Sequence, residues 1–162
     1  MVEIEAGCDG RPGLATLERT DFALVGRMFE RLSAMSIYRR FFSPISRPDI
    51  LQRSVQQLDH VDREAVGAVV GGELVGMAQY ARRPGEKRAQ MAIVIVDGWQ
   101  RQGLGTRMVA ALAQRALEHG IDSFAVDIQG DNYGGLKLFH RVAPQARITY
   151  SAGVGEGVIP LS

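Results

Sequence analysis

Hydrophobic positions along the chain follow two periods, and the changes between them divide it into strands and helices. Short β-branched or alternating runs predict strands at 14–18, 65–70, 74–80, 89–96, 124–128, 147–151 and 154–159. Apolar residues at the helical spacing predict helices at 22–32, 48–58, 104–119 and 132–142. The order β-α-α-β-β-β-α-β-α-β-β indicates an α/β (α+β) fold, in which helices cover the faces of a mixed sheet.

Length and composition indicate a single domain. The chain has 162 residues, 46% of them hydrophobic, which suits one domain over 1–162 with a flexible leader at 1–12. Nineteen basic and eighteen acidic side chains leave a net charge of +1, so we expect no nucleic-acid partner. No apolar run approaches the ~20 residues of a membrane span, so we expect a cytoplasmic protein without a membrane partner. No motif predicts a metal site. The sequence is compatible with a monomer and with a homodimer.

The most informative segment is a buried strand followed by a turn, two spaced glycines and a helix, at 92–107. The first turn of a helix presents N–H groups without partners, and glycines remove the Cβ atoms that would hold an anion away. Gly103 and Gly105 therefore predict a phosphate-binding loop, to which Arg101 and Arg107 could add positive charge. The same glycines also suit an ordinary tight turn into a helix, and their spacing does not exclude that interpretation.

A dinucleotide-binding fold is the alternative, because Gly103-x-Gly105 after a strand, with Asp127 a little over 20 residues later, imitates its fingerprint. The third glycine of that fingerprint falls on Met108, which is too large for the close helix–strand contact that the fold requires. Three meander strands also precede the loop in place of a βαβ unit. No Gly-Lys-Ser/Thr occurs, so a Walker A loop is excluded.

The spacing Gln100-x-x-Gly103-x-Gly105 resembles the cofactor motif of the GNAT superfamily, the Gcn5-related N-acetyltransferases, and Asn132 also follows in the family's order. The resemblance covers nearly the whole chain and implies about seven mostly antiparallel strands with about four helices. It implies acetyl-CoA or another acyl-CoA as co-substrate, without a metal. In that family a splayed strand bonds the pantetheine arm through its backbone. The cofactor-binding residues so implied are Ile93, Val94, Ile95, Arg101, Gln102, Gly103, Leu104, Gly105, Thr106 and Asn132.

A second resemblance lies upstream of the loop, at 32–42. This segment reads Leu-Ser-Ala-Met-Ser-Ile-Tyr-Arg-Arg-Phe-Phe and is similar to a stretch of the Pat-type protein lysine acetyltransferases, which Asp62-Arg63-Glu64-Ala65 also fits. The resemblance implies transfer of an acyl group to an amine acceptor, a small molecule or a protein lysine. Two interpretations are open for Tyr38 to Phe42. These residues contact a substrate, or they form a helix end whose aromatic rings pack into the core.

Direct transfer to an amine needs a base, and here the chain departs from the family. The Pat-type glutamate on the strand before the loop aligns with Gln90, which cannot accept a proton, and the tyrosine that protonates the leaving thiolate aligns with Phe139. The candidates for a substitute acid or base are Asp127, Glu64, His60, Asp62 and His140, each of which also suits a solvated or structural role. Two functions stay open: an N-acyltransferase, and an acyl-CoA-binding regulatory module with impaired catalysis.

Overall fold

The computed structural model describes the whole chain, Met1 to Ser162, and its centre is one eight-stranded sheet. The strands are β1 (Val2–Glu5), β2 (Gly13–Thr16), β3 (Arg63–Val70), β4 (Glu73–Ala81), β5 (Arg88–Ile95), β6 (Ser123–Gln129), β7 (Ile148–Ser151) and β8 (Val154–Pro160). Their order across the sheet is β1-β2-β3-β4-β5-β6-β8-β7. All neighbours are antiparallel except β5 and β6, which are parallel because a helical crossover connects them.

Helices cover both faces of this sheet. They are α1 (Phe22–Glu30), α2 (Ala34–Phe41), α3 (Asp49–Gln56), α4 (Leu104–Glu118) and α5 (Tyr133–Val142). On one face α1, α2 and α3 share an apolar core around Val25 and Met77. On the other face α4 and α5 form a second core around Met108, Phe124 and Phe139. A membrane-crossing helix is not among them, since none is both long and apolar enough.

The fold class predicted from the sequence is confirmed, with one strand and one helix more than expected. Strand β1 lies inside the predicted flexible leader at 1–12. Its four residues are all exposed, so this edge strand has no buried face to give a pattern. Helix α2 was not predicted, because it is short and Ile37 is its only buried apolar residue. It begins after the N-cap Ser33 and ends at Phe42, whose backbone is left-handed at φ 59°.

Candidate active site

Strands β5 and β6 pair only where they begin. Their ladder joins 88–90 to 123–125 and stops there. Since β5 stays paired with β4 through Ile95, the backbone groups of 91–95 that face β6 have no strand partner. This split in the sheet is the one that the family resemblance predicts. Val94 is buried in the first core, so it can offer the split only its backbone.

A cavity of about 330 Å³ passes through the split. Side chains of α4 and α5 line it on one face of the sheet, and the end of α2 lines it on the other, through Arg39 and Arg40. The sequence did not assign these two arginines to a site, although they belong to the upstream Pat-like segment. The predicted site residues whose side chains line the cavity are Gln90, Ile93, Asp127 and Asn132.

The loop after β5 offers unpaired hydrogen-bond donors at the wide end, or mouth, of the split. None of the N–H groups from Arg101 to Thr106 donates to an acceptor in the protein. The hydroxyl oxygen of Thr106 is buried and also lacks a partner. Buried polar groups nearly always have partners in folded proteins, so a ligand is expected to complete this site. Free N–H groups at the start of α4 fit the phosphates of an acyl-CoA.

The two glycines of the loop have different structural roles. Gly103 is the N-cap of α4 at φ +80°, and a Cβ built on it would meet no atom within 4 Å. A side chain at Gly103 would therefore be strained and would project into the space open to an anion. A Cβ on Gly105 would lie 3.0 Å from Leu138, so this glycine lets α5 approach α4 closely. The side chain of Leu104 is buried in the core, which leaves its backbone for a ligand.

Most side chains of the loop bind the protein itself. Gln100 and Gln102 donate to backbone carbonyls at 2.9 and 3.1 Å. Arg107, which the sequence offered as a second positive charge, instead donates to Glu5 of β1 at 2.7 Å. Arg101 is exposed, with a left-handed backbone at φ 62°. It is therefore the arginine of this loop that remains available to a phosphate.

Helix α2 is attached to the turn before the loop by two serines. Asp97 accepts hydrogen bonds from the hydroxyls of Ser33 and Ser36, each at 2.9 Å. Burial alone would raise the pKa of Asp97, but the serine hydrogen bonds outweigh it and lower the pKa below its usual value. Ser36 also accepts from Gln100 at 3.3 Å. The Leu-Ser-x-x-Ser pattern thus joins α2 to the loop, a role that sequence reasoning missed.

Asn132 caps α5 at the wall of the cavity. Its side-chain oxygen accepts from the N–H of Gly135 at 3.0 Å. A Cβ on Gly135 would lie 2.7 Å from the side-chain nitrogen of Asn132, so a glycine at this position makes room for the cap. The amide nitrogen of Asn132 makes no hydrogen bond within the protein and lies beside the cavity.

Gln90 and Asp127 meet where the split begins, at its apex. Because Phe124 and Val126 point into the α4 core, Asp127 points to the opposite face, the one covered by α2. The amide nitrogen of Gln90 donates to the Asp127 carboxylate at 3.4 Å. Both side chains are exposed. The apex therefore presents one carboxylate with an amide beside it.

An open groove of about 1100 Å³ extends from the same apex. It shares Gln90 and Asp127 with the cavity, and its other polar wall residues include Arg88, Arg147 and Glu156. Glu156 stands directly opposite Asp127 in the ladder between β6 and β8. Two neighbouring carboxylates attract a cation, so this end of the groove suits the approach of an ammonium group.

The other candidate bases lie away from both the cavity and the groove. Glu64 is fully buried and bonds His60 at 2.8 Å, while Asp62 pairs with an arginine at 2.8 Å. Burial alone would lower the pKa of His60, but its hydrogen bonds to two glutamates outweigh that and raise it. His140 is exposed and stacks edge-on against Phe139. Phe139 itself lines the cavity and has no hydroxyl to donate a proton.

Met108, the residue that argues against a dinucleotide site, packs over a glycine of the sheet. A Cβ built on Gly76 of β4 would lie 3.3 Å from the Met108 sulfur. The small residue at this helix–strand contact is therefore on the strand, whereas the dinucleotide fingerprint needs it on the helix.

The comparisons with known proteins agree with this geometry. A family model for the acetyltransferase (GNAT) family matches residues 31–143. The GNAT domain of PAT from S. lividans has a TM-score of 0.84 and 23% identity, over 93% of this chain and 90% of that one. The structure of yncA from Salmonella typhimurium, solved with its cofactor acetyl-CoA, has a TM-score of 0.71 and 12% identity, over 94% of this chain and 95% of that one. A phosphinothricin acetyltransferase from Sinorhizobium meliloti, in complex with AcCoA, has a TM-score of 0.70 and 14% identity, over 94% of this chain and 89% of that one.

The matched segment holds α2, the split, the loop and the two residues at the apex. It makes up more than half of the chain, and the structural neighbours have the same fold. The chain belongs to the acetyltransferase (GNAT) family.

Proposed function

We propose that the protein is an N-acyltransferase that moves an acetyl or other short acyl group from an acyl-CoA to an amine. The observation that carries the proposal is the split between β5 and β6, whose cavity lies between a loop of unpaired donors and a carboxylate. Membership of the GNAT family supports the class of reaction. The two neighbours solved with acetyl-CoA support the choice of co-substrate.

The acyl-CoA is proposed to lie along the split. Residues 101–106 would hold its pyrophosphate through their backbone N–H groups and the hydroxyl of Thr106. The backbone of Ile93–Ile95 would bond the pantetheine arm as a further strand would, and Asn132 would donate from its free amide nitrogen. In this arrangement the acyl-CoA supplies a thioester at the apex of the split.

Asp127 is the proposed base. A free lysine amine has a pKa near 10.4, so only about one in 2,500 is neutral at pH 7. The Asp127 carboxylate accepts the proton of the ammonium group, while Gln90 holds that carboxylate through its amide. The neutral nitrogen then bonds to the thioester carbon as the carbon–sulfur bond breaks, and the nitrogen releases its second proton to solvent to leave the amide. Since Phe139 has no hydroxyl, the departing thiolate takes its proton from solvent.

The acceptor is proposed to be a primary amine that enters through the open groove. A protein lysine fits, because the groove is open to a side chain carried by another protein and holds Asp127 and Glu156 at its inner end. The Pat-like segment at 32–42 also favours a lysine. A small amine is the second candidate acceptor. The regulatory module is the weaker alternative, because a carboxylate remains at the apex although Gln90 replaces the family's glutamate.

The test combines binding with turnover. Isothermal titration measures the affinity for acetyl-CoA, and release of the CoA thiol is followed with a panel of small amines and lysine-containing proteins. We expect saturable binding and thiol release that depends on an amine. Binding without amine-dependent release would favour the regulatory module, and absence of binding would contradict the acyl-CoA site.

A further inference from the structure

Two arginines reach the cavity without a partner in the protein. Arg39 and Arg40 lie in the last turn of α2, and both line the cavity. Neither guanidinium group makes an ion pair or a hydrogen bond, and the Nε atom of Arg39 is buried. Arg40 lies over the ring of Phe41, with 4.7 Å between its Cζ atom and the ring centroid. The cavity therefore contains two cationic groups whose hydrogen-bond donors are unused.

The charge of these arginines is not balanced within the cavity. Burial lowers the pKa of Arg40 to about 10, so the side chain is still charged at neutral pH. Asp127 is the only acidic side chain on the cavity wall, and no ion pair joins it to either arginine. Two positive charges thus face one negative charge. Charged groups that leave water are normally paired, so this arrangement of side chains suits an anionic ligand.

The rest of the cavity wall indicates which kind of anion would fit. Its wall is mostly apolar and includes Phe41, Ile93, Leu138 and Phe139. A ligand that fits has a short hydrocarbon part and an oxyanion that the planar guanidinium forks can bind in a bidentate manner. The phosphate loop at 101–106 does not line the cavity, so the phosphates of CoA already have another site.

We propose that Arg39 and Arg40 bind a carboxylate that one of the two substrates brings into the cavity. The inference rests on the proposed function and narrows its substrate class. In one case the acyl group ends in a carboxylate, as a succinyl group does, and a protein lysine remains the acceptor. In the other case the acceptor is a free amino acid, whose carboxylate lies next to the reacting amine. Both substrates offer the same oxyanion to the same two guanidinium groups.

The donor arm of the test compares acyl-CoAs by isothermal titration. Succinyl-CoA and butyryl-CoA both carry four-carbon acyl groups, but only the first ends in a carboxylate. If the donor carries the carboxylate, the unaltered protein should prefer succinyl-CoA by about tenfold or more. The double variant Arg39→Gln, Arg40→Gln should lose this preference. Arg83→Gln, which changes an exposed arginine away from the cavity, should keep it.

The acceptor arm uses protein saturated with CoA. L-lysine is titrated against cadaverine, and L-phenylalanine against phenethylamine, so that each pair differs only in the carboxylate. If the acceptor carries the carboxylate, at least one amino acid should bind about tenfold more tightly than its matched amine. The double variant should again abolish the difference. Arg40→Lys keeps the positive charge but loses the bidentate guanidinium group, so it should reduce this difference in affinity. It also provides a milder variant if the double variant does not fold.

The inference is supported if the unaltered protein prefers the carboxylate-bearing ligand in either arm and the arginine variants lose that preference. The arm in which this occurs identifies the substrate that carries the carboxylate. Equal affinities within every matched pair would overturn it. An equal loss of affinity for acetyl-CoA, butyryl-CoA and succinyl-CoA in the double variant would also overturn it, because the arginines would then bind CoA itself. Failure of the unaltered protein to bind any acyl-CoA would instead contradict the proposed function, and the inference with it.

Discussion

The two ends of the split offer a substrate different chemical groups. At the mouth, residues 101–106 offer backbone N–H groups, and most of the loop's side chains bind the protein. At the apex, the proposed chemistry depends on the side chains of Gln90 and Asp127, which come from two strands. Backbone recognition requires an open approach to the peptide groups, whereas catalysis requires particular functional groups. The mouth should therefore be most sensitive to added atoms, and the apex to the loss or gain of a charge.

The largest effect on cofactor binding is expected from Gly103→Glu. The substitution adds a side chain at φ +80° and places a negative charge where the free N–H groups would meet pyrophosphate. We expect the affinity for acetyl-CoA to fall by roughly 100-fold or more, a loss of about 2.7 kcal/mol. The increase in Tm that acetyl-CoA gives the unaltered protein should disappear.

Gly120→Glu is the matched control, because Gly120 follows the other end of α4 and has φ +76° with the same open surroundings. It imposes similar backbone strain and the same charge, but it should leave acetyl-CoA affinity nearly unchanged. Gly103→Gln separates the charge from the added volume. Normal binding by a folded Gly103→Glu variant would mean that the phosphates lie elsewhere.

Gln90→Glu changes the apex and should produce the next largest effect. A second carboxyl group would replace the amide that now donates to Asp127 at 3.4 Å, and repulsion between like charges should raise the pKa of one member of the pair. A carboxyl group with a raised pKa is protonated, and cannot act as a base, at pH values below that pKa. The rate of acyl transfer should therefore increase with pH around a midpoint that is higher than in the unaltered protein. Above that pH the stronger base should increase acyl transfer by about tenfold.

The measurement is the pH dependence of acyl transfer, with acetyl-CoA affinity as the control. That affinity should barely change, because the phosphates bind at the other end of the split. An unchanged pH profile in a folded variant would show that Gln90 does not influence the base.

Ser36→Ala should weaken the attachment of α2 to the loop. The hydroxyl donates to Asp97 at 2.9 Å and accepts from Gln100 at 3.3 Å, so its loss should cost about 1–2 kcal/mol of stability. For a chain of this size the Tm should fall by roughly 2–8 °C. The same substitution in an Asp97→Ala background, which has no side-chain acceptor, should cost much less. Equal costs in the two backgrounds would mean that the hydrogen bond to Asp97 does not stabilise the protein.

The smallest effect is expected from His60→Asn, outside both ends of the split. Asparagine tolerates the left-handed backbone at φ 61° but loses the charge that His60 shares with Glu18 and Glu64. The pKa of His60 is raised in the folded state, so its stabilisation is present below the unfolded pKa of about 6.5 and is lost as pH rises through the folded value.

The Tm difference between the unaltered protein and this variant should therefore be greater at pH 5.5 than at pH 8.5, by roughly 1–3 °C for a partly exposed group. Acyl transfer should not change beyond this effect on stability. A large fall in the rate at a pH where both proteins are folded would bring His60 back as a catalytic candidate.

The mouth could be predicted from the sequence, because its signals are local. Gly103 stands beside the N–H groups that it exposes, and Asn132 caps a helix that begins at the next residue. The apex was predicted only as two separate candidates, since the hydrogen bond between Gln90 and Asp127 joins residues 37 positions apart. Their contact depends on the register of two parallel strands, which no local pattern specifies.

Helix α2 illustrates the same limit. The hydrogen bonds that attach it to Asp97 span 64 and 61 positions, and Ile37 is its only buried apolar residue. The resemblance to the Pat-type segment marked these residues without giving their physical role. Strand β1 was missed for a different reason, because an exposed edge strand is held by backbone hydrogen bonds and buries no side-chain pattern.

The most direct test of the account is a single-turnover measurement of amide formation by the unaltered protein and by Asp127→Asn, both saturated with acetyl-CoA. The acceptor is the best amine of the panel, and mass spectrometry quantifies the acetylated product. We predict that Asp127→Asn binds acetyl-CoA normally but forms the amide about 10²–10⁴ times more slowly. Asp122→Asn, at an exposed position before β6, should match the unaltered protein. Equal rates in the unaltered protein and a folded Asp127→Asn variant would contradict the proposed role of the apex.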